Sequence, residues 1–199
     1  LGATIDDAAG EAFDKVARLL DLGYPGGPAV ERVARDGDPT RYAFSRAWLD
    51  GSWNFSFSGL KTAVLYAVRG QPYGKPLAGA AEAVDPARVP DLAASFQAAA
   101  VEVLATKAVR AAERFNAKSL LLVGGVSANL ALREALMSAA PCEVVYPTLA
   151  LCTDNAAMIG AAAHWRLLAG QRDALDIDAL PTWALEGMTK DERRMTKVE

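Results

Sequence analysis

The stretch Leu121–Asn129 reads LLVGGVSAN: an apolar run ends in two glycines and meets a helix-forming segment almost at once. Two readings fit it. Gly124 and Gly125 can turn a corner between a strand and a helix, with the Ser127 hydroxyl accepting from an orphan amide at the helix start. Alternatively, the two glycines lack side chains so that a ligand can lie against the backbone, near a helix N-terminus that favours anionic groups. Asp154, in LCTDNAAMIG, has the same double character. With Thr153 it can cap a helix whose next turns are almost all Ala and Gly, or it can offer a hard oxygen donor to a metal at the mouth of a cleft.

Other candidates carry less. Asp7, Glu11, Asp14 and Arg18 fall on one helical face, where a solvated stripe with an Asp14–Arg18 pair is the plain reading. Ser58 and Lys61 match the S-x-x-K pattern of serine acyl-enzymes, but the S-D-N and K-T-G segments that accompany it are absent. His164 is the only histidine, and without a second ligand at metal spacing it reads as a packing or surface residue.

The elements that must position these groups follow from periodicity. Apolar residues recur every three or four positions from Ile5 to Leu20, which predicts an amphipathic helix over 5–21 with Thr4 as its cap. The run DLGYPGGPAV ends it in a stiff loop, and a short helix over 29–36 is expected beyond. A loop with extended pieces over 37–57, a helix from Ser58 and an exposed linker over 70–88 come next. The longest helix is predicted over 90–115, with Leu92, Phe96, Ala100, Val103, Leu104, Ala108, Ala111 and Phe115 on its inner stripe. A strand over 119–123, covered on both faces, then leads to a helix over 128–139, a strand over 143–146 and a helix over 154–169. That β-α-β-α order predicts an α/β fold with a parallel sheet, whose ligands bind beyond the carboxyl ends of the strands.

Composition narrows the function classes. The chain has 199 residues, 52% of them hydrophobic, and a formal charge of −3. One sizeable core is affordable, and no basic stripe marks a nucleic-acid surface, so any RNA contact must be local. Arg32, Arg35, Arg41 and Arg46 are interleaved with acids and read as a mixed-charge face. Two cysteines at no metal-ligand spacing suggest a reducing compartment, the cytoplasm by default. No apolar run approaches the roughly 18 residues a membrane span needs. The chain opens on Leu1, close to a helix, and is expected to be a fragment without its N-terminal part.

Four segments together, IDDAAGEAFDKVARLLDLGYPGGPAVER, FSFSGLKTAV, LLVGGVSANLALRE and CTDNAAMIGAAA, resemble in order and spacing the bacterial tRNA N6-adenosine threonylcarbamoyltransferase (TsaD) family. The resemblance implies a helix-rich α/β lobe of the actin-like ATPase (ASKHA) fold, expected to be incomplete in this chain, over residues 1–185, with a flexible tail over 186–199. It implies an acyltransferase that moves a threonylcarbamoyl group from threonylcarbamoyl-adenylate to adenosine 37 of tRNAs reading codons that start with A. By the same resemblance Asp14, Gly27, Gly124, Gly125 and Asn129 would bind the adenine nucleotide. Asp154 would bind one divalent metal ion, iron or zinc.

The family's two histidine ligands and its phosphate-binding segments should precede Leu1 and are not in this sequence. A single aspartate holds a transition metal weakly. The chain alone is therefore expected neither to bind metal tightly nor to modify tRNA, and open sheet edges would favour self-association. Partners implied are tRNA and proteins of the TsaB and TsaE types. The alternative is a non-catalytic scaffold that acts, like TsaB, by dimerising; the aspartate and asparagine at the ligand positions argue against it.

Overall fold

The computed structural model describes residues 1–76 and 84–174. Part of the expected linker, residues 77–83, and the whole of the expected tail over 186–199 lie outside the described residues. The elements are helices α1 (Ala9–Leu19), α2 (Gly26–Ala34), α3 (Ser58–Val68) and α4 (Val89–Arg114), strand β1 (Ser119–Leu121), helix α5 (Leu130–Ala139), strand β2 (Glu143–Val145) and helix α6 (Ala156–Leu168). Packing divides the chain into two units, Leu1–Asp154 and Asn155–Glu199.

In the first unit, α4 is the element around which α2, α3 and α5 pack. Its Leu92, Phe96 and Ala100 are fully buried, and Phe96 meets Phe13 of α1 edge-on with ring centroids 4.9 Å apart. The stripe predicted for this helix is buried from Leu92 to Val103, but its C-terminal part is not: Leu104, Ala108 and Ala111 are half-buried and Phe115, at the helix end, is 56% exposed. The alanine content of α4 also brings an 18-residue window to a mean hydropathy of 1.3, higher than the sequence reading allowed, but 61% of that window is buried inside the protein.

Helix α1 is shorter than predicted. Residues before it are drawn into an extended segment, where the Ile5 amide donates to Phe55 O and the Phe55 amide to Ala3 O, both at 2.9 Å. Thr4 is therefore not a cap; its hydroxyl donates to Asp7 O at 2.7 Å, and Ile5 is exposed. The helix start is held instead by Glu11, whose Oε2 accepts from the Ala8 amide at 3.3 Å. Asp6, just upstream, gathers the FSFS segment: its carboxylate accepts from the Ser56 hydroxyl, the Phe57 amide and both the amide and hydroxyl of Ser58. Ser58 is thus tied to Asp6 rather than paired with Lys61.

The glycine-proline run also behaves differently from the prediction. Asp21 (φ 57°) and Gly23 (φ 82°) turn the chain, and Gly26, Gly27 and Pro28 already form the first turn of α2. Proline is tolerated there because a first-turn amide has no intrahelical partner to lose.

The sheet is parallel, with Ser119, Leu120 and Leu121 opposite Glu143, Val144 and Val145, so the α/β class is observed in a helix-rich unit. Leu120, Leu122 and Val144 pack on a second cluster with Leu132 and Leu136 of α5. The other face is open: Leu121, Val123 and Val145 are 68%, 72% and 41% exposed. The predicted two-face burial is thus corrected to one. Residues 122 and 123 carry the pattern of a strand, but among the described residues their backbone pairing ends with the Leu122 amide, which donates to Val145 O at 2.9 Å. In the second unit α6 stands exposed along its length, His164 lying beside Trp165.

Candidate functional site

Beyond the carboxyl end of β1 lies a cavity of about 470 Å³ within the first unit. Its walls come from five places: α1, which supplies Phe13 and Asp14; the α1–α2 loop, with Tyr24; the first turns of α2, with Gly27 and Glu31; the turn Gly125–Ala128 with Asn129; and Thr153, in the segment before α6. Four of the residues singled out from the sequence, Asp14, Gly27, Gly125 and Asn129, are brought together here although 115 positions separate the first from the last. Gly124 and Asp154 do not line it. Thr153, the neighbour of Asp154, does.

Each placement has a local cause. Asp14 projects from the buried stripe of α1 to the start of α2, where Oδ1 accepts from the Gly26 amide at 2.8 Å. The expected Asp14–Arg18 pair does not form; the ion pairs of this face join Lys15 to Asp7 and to Glu11, at 2.6 and 2.8 Å. These two hydrogen bonds raise the Lys15 pKa, the one to Asp7 most.

The glycines divide by function. A Cβ at Gly26 would run into the Asp14 backbone and the Ala17 side chain, so Gly26 is required for α1 and α2 to approach. A Cβ at Gly27 or Gly125 would meet nothing within 4 Å, leaving open space where a side chain would stand. Gly124 has φ 85°, a left-handed conformation that side chains disfavour, and so serves the turn rather than the cavity wall.

Asn129, and not Ser127, caps α5. Its Oδ1 accepts from the Leu132 amide at 2.9 Å, while Nδ2 donates to Gln97 Oε1 of α4 at 2.8 Å. Ser127 is fully buried one turn earlier, in the 3-10 turn that ends at Ala128. The helix begins two residues later than the sequence suggests because the 3-10 turn intervenes. The Leu130 amide, also at the start of α5, donates to Glu31 Oε1 of α2 at 2.8 Å, so α2 and α5 are joined along one side of the cavity.

Two groups that sequence reasoning passed over belong to this site, and the first of them holds its frame. Arg133 is 7% exposed, and its guanidinium donates to Ser127 O (2.6 Å), Pro147 O (3.0 Å) and Cys152 Sγ (3.2 Å) while lying 4.3 Å over the Tyr146 ring. It thereby ties the glycine turn to the segment that ends in Thr153. The other is Tyr24, held at the rim. Their signal in the sequence was slight: an arginine in the second turn of an apolar helix, and an aromatic flanked by Gly and Pro.

Among the described residues, Asp14, Glu31 and Tyr24 are the cavity's titratable lining groups, with no Cys, His or Lys to serve as nucleophile or base. Apolar walls, a carboxylate and backbone free of side chains suit a flat ring bearing hydroxyl groups. A resident metal finds no comparable frame. Asp154 is exposed and is not the cap of α6; Asn155 is, accepting from the Met158 amide at 3.0 Å. Among the described residues no three His, Cys, Asp or Glu side chains converge on a point. The donors among the described residues do not by themselves fit iron or zinc.

Comparison with known proteins assigns the chain. The model of the family "tRNA N6-adenosine threonylcarbamoyltransferase" matches residues 1–161. Curated relatives of that name include proteins of Thermomicrobium roseum, 52% identical over 190 residues, and Moorella thermoacetica, 50% identical over 186. A protein of Dehalococcoides mccartyi is 48% identical over 181 residues. These alignments take in 89–91% of this chain but 51–52% of the relatives, so the chain spans about half their length. With the glycine turn, the Asp14 wall and the Asn129 cap inside the matched region, the chain belongs to the tRNA N6-adenosine threonylcarbamoyltransferase (TsaD) family.

Proposed function

We propose that this chain carries the adenine-nucleotide site of a tRNA N6-adenosine threonylcarbamoyltransferase, the activity for which its relatives are named. In this reading the cavity holds the adenylate half of threonylcarbamoyl-adenylate, and the acyl group passes to the N6 amine of adenosine 37 in tRNA. The observation that carries the proposal is the convergence of Asp14, Gly27, Gly125 and Asn129 on one cavity at the carboxyl end of a parallel strand. That is the position where open α/β sheets bind ligands. Asp14 suits a ribose hydroxyl pair, since its Oδ2 is not the atom held by Gly26. Gly27 and Gly125 leave the space a sugar or base would fill.

The role of these residues is to bind and orient. Fixing an activated acyl donor in the attacking geometry can supply much of a rate enhancement without a covalent enzyme intermediate. Asp154 would contribute one carboxylate to a divalent metal, iron or zinc, whose remaining ligands are not found among the described residues. The reading extends to an actin-like ATPase lobe over residues 1–185, to work in the cytoplasm where tRNA is modified, and to TsaB- and TsaE-type proteins as partners.

Calorimetric titration of the chain with ADP tests the proposal. Saturable binding, weakened about tenfold by Asp14→Asn through loss of a charge-assisted hydrogen bond, is the expected result. Absence of binding by a chain whose circular dichroism and thermal transition show it folded would overturn it and favour the dimerising scaffold.

A further inference from the structure

The cavity has two aromatic residues in its wall, and they differ in what they leave available. Phe13 is 2% exposed and its ring is engaged edge-on with Phe96, so it serves as floor. Tyr24 is 86% exposed, and among the described residues neither its ring nor its hydroxyl has a partner. Tyr24 nevertheless lines the cavity: Asp21 and Gly23 turn the chain just before it, and Pro25 leads directly into α2 just after. Proline at 25 and 28 restricts the backbone on its far side, so the ring is carried on a stiff support.

An aromatic face held at the mouth of an apolar cavity, with no protein group against it, is a platform for a flat π-system. Nucleobases stack on such rings with an energy that tolerates the identity of the base but grows with the overlapping area. The hydroxyl acceptors a nucleoside needs are also at hand: Asp14 shares the cavity, one turn of α1 from the loop base. From this arrangement we infer that Tyr24 is the base-stacking residue of the site and sets its preference for purine over pyrimidine nucleotides. The inference rests on the nucleotide reading of the cavity given above. Glu31 and Asn129 do not compete for that role, because the side chain of each is committed to the start of α5.

The test is direct because an exposed side chain can be changed without unfolding the protein. Titrations with ADP and CDP are compared for the intact chain and for Tyr24→Phe, Tyr24→Leu and Tyr24→Ala, with thermal transitions recorded for each. Tyr24→Phe should bind ADP as the parent does, since the ring and not the hydroxyl acts. Tyr24→Ala should lose about tenfold in ADP affinity and less in CDP affinity, bringing the two closer together, with Tyr24→Leu between. Proton spectra of bound ADP provide a second readout: the adenine H2 and H8 signals should move upfield on the parent and on Tyr24→Phe, and that movement should shrink on Tyr24→Ala. Parent-like ADP affinity and adenine shifts in Tyr24→Ala would overturn the stacking role while leaving the nucleotide site standing. Failure of the parent chain to bind ADP would overturn both.

Discussion

The Asp14 carboxylate accepts a hydrogen bond from the Gly26 amide at 2.8 Å, and the glycine is there because the two backbones pass too closely for any Cβ. One contact therefore joins α1 to α2 and fixes a wall of the cavity. It separates two adjacent glycines that look alike in sequence. Gly26→Ala should destabilise the protein by about 1–3 kcal/mol, the range for overpacking a filled site. Gly27→Ala faces open space and replaces a helical glycine, so it should raise stability by roughly 0.5–1 kcal/mol while lowering ADP affinity. Chemical denaturation and calorimetry on both variants check the contrast; equal effects on stability would contradict it.

Asn129 works at both ends of its side chain. Asn129→Ala removes the α5 cap and the bond to Gln97, and should cost about 1–2 kcal/mol of stability. Asn129→Asp keeps the capping oxygen but presents a carboxylate to Gln97 Oε1. If the cap is the larger contribution, the aspartate variant should retain most of the thermal stability that the alanine variant loses. ADP affinity measured on the aspartate variant then reports what the amide does for the ligand, with the cap kept in place.

Much of this was legible in the sequence, for reasons that can be located. The α4 stripe as far as Val103 and the α-β alternation follow from periodicity, which burial enforces, and both appear where expected. The glycine turn was legible because only a side-chain-free residue takes φ 85° readily at 124. What failed were assignments in which two local solutions compete. Thr4, Ser127 and Asp154 are all sound caps by type, yet the helices start at Glu11's reach, Asn129 and Asn155, because long-range partners such as Phe55 and Gln97 choose among neighbours. Burial of β1 on both faces failed similarly, since composition cannot say which face has a neighbour. Arg133 left no pattern, as its partners are backbone carbonyls and a thiol.

That arginine gives a third expectation. Its guanidinium is nearly buried, yet among the described residues no carboxylate pairs with it. Arg133→Met keeps the apolar stem but orphans Ser127 O and Pro147 O, each an acceptor whose desolvation costs about 1–3 kcal/mol when unmet. Arg133→Lys keeps the charge but cannot reach the three acceptors with one fork. Both should lower the denaturation midpoint, and both should lower ADP affinity because the turn and the Thr153 segment lose their tie. A lysine variant equal to the parent in both measurements would show that charge alone suffices.

The last expectation concerns acid. Burial would push the Asp6 carboxyl up, but hydrogen bonds from the Ser56 hydroxyl, the Phe57 amide and the Ser58 hydroxyl and amide outweigh it and bring its pKa down from 3.8 to about 2. A carboxyl that is more acidic in the folded chain than in the unfolded one stabilises the fold fully above the unfolded value. That contribution fades as pH falls from about 4 towards about 2. Protonation would release the FSFS segment from the residues before α1, so the extended pairing of Thr4 with Phe55 should loosen first. Asp6 is exposed, and solvent screening keeps the effect modest. Stability measured by denaturation between pH 5 and pH 2 should fall less steeply in Asp6→Asn than in the parent, from a lower starting value at pH 5. Parallel curves for the two proteins would remove Asp6 from the acid response and assign it to the other carboxylates, among them Asp38, whose pKa the Thr40 hydroxyl and amide also hold down.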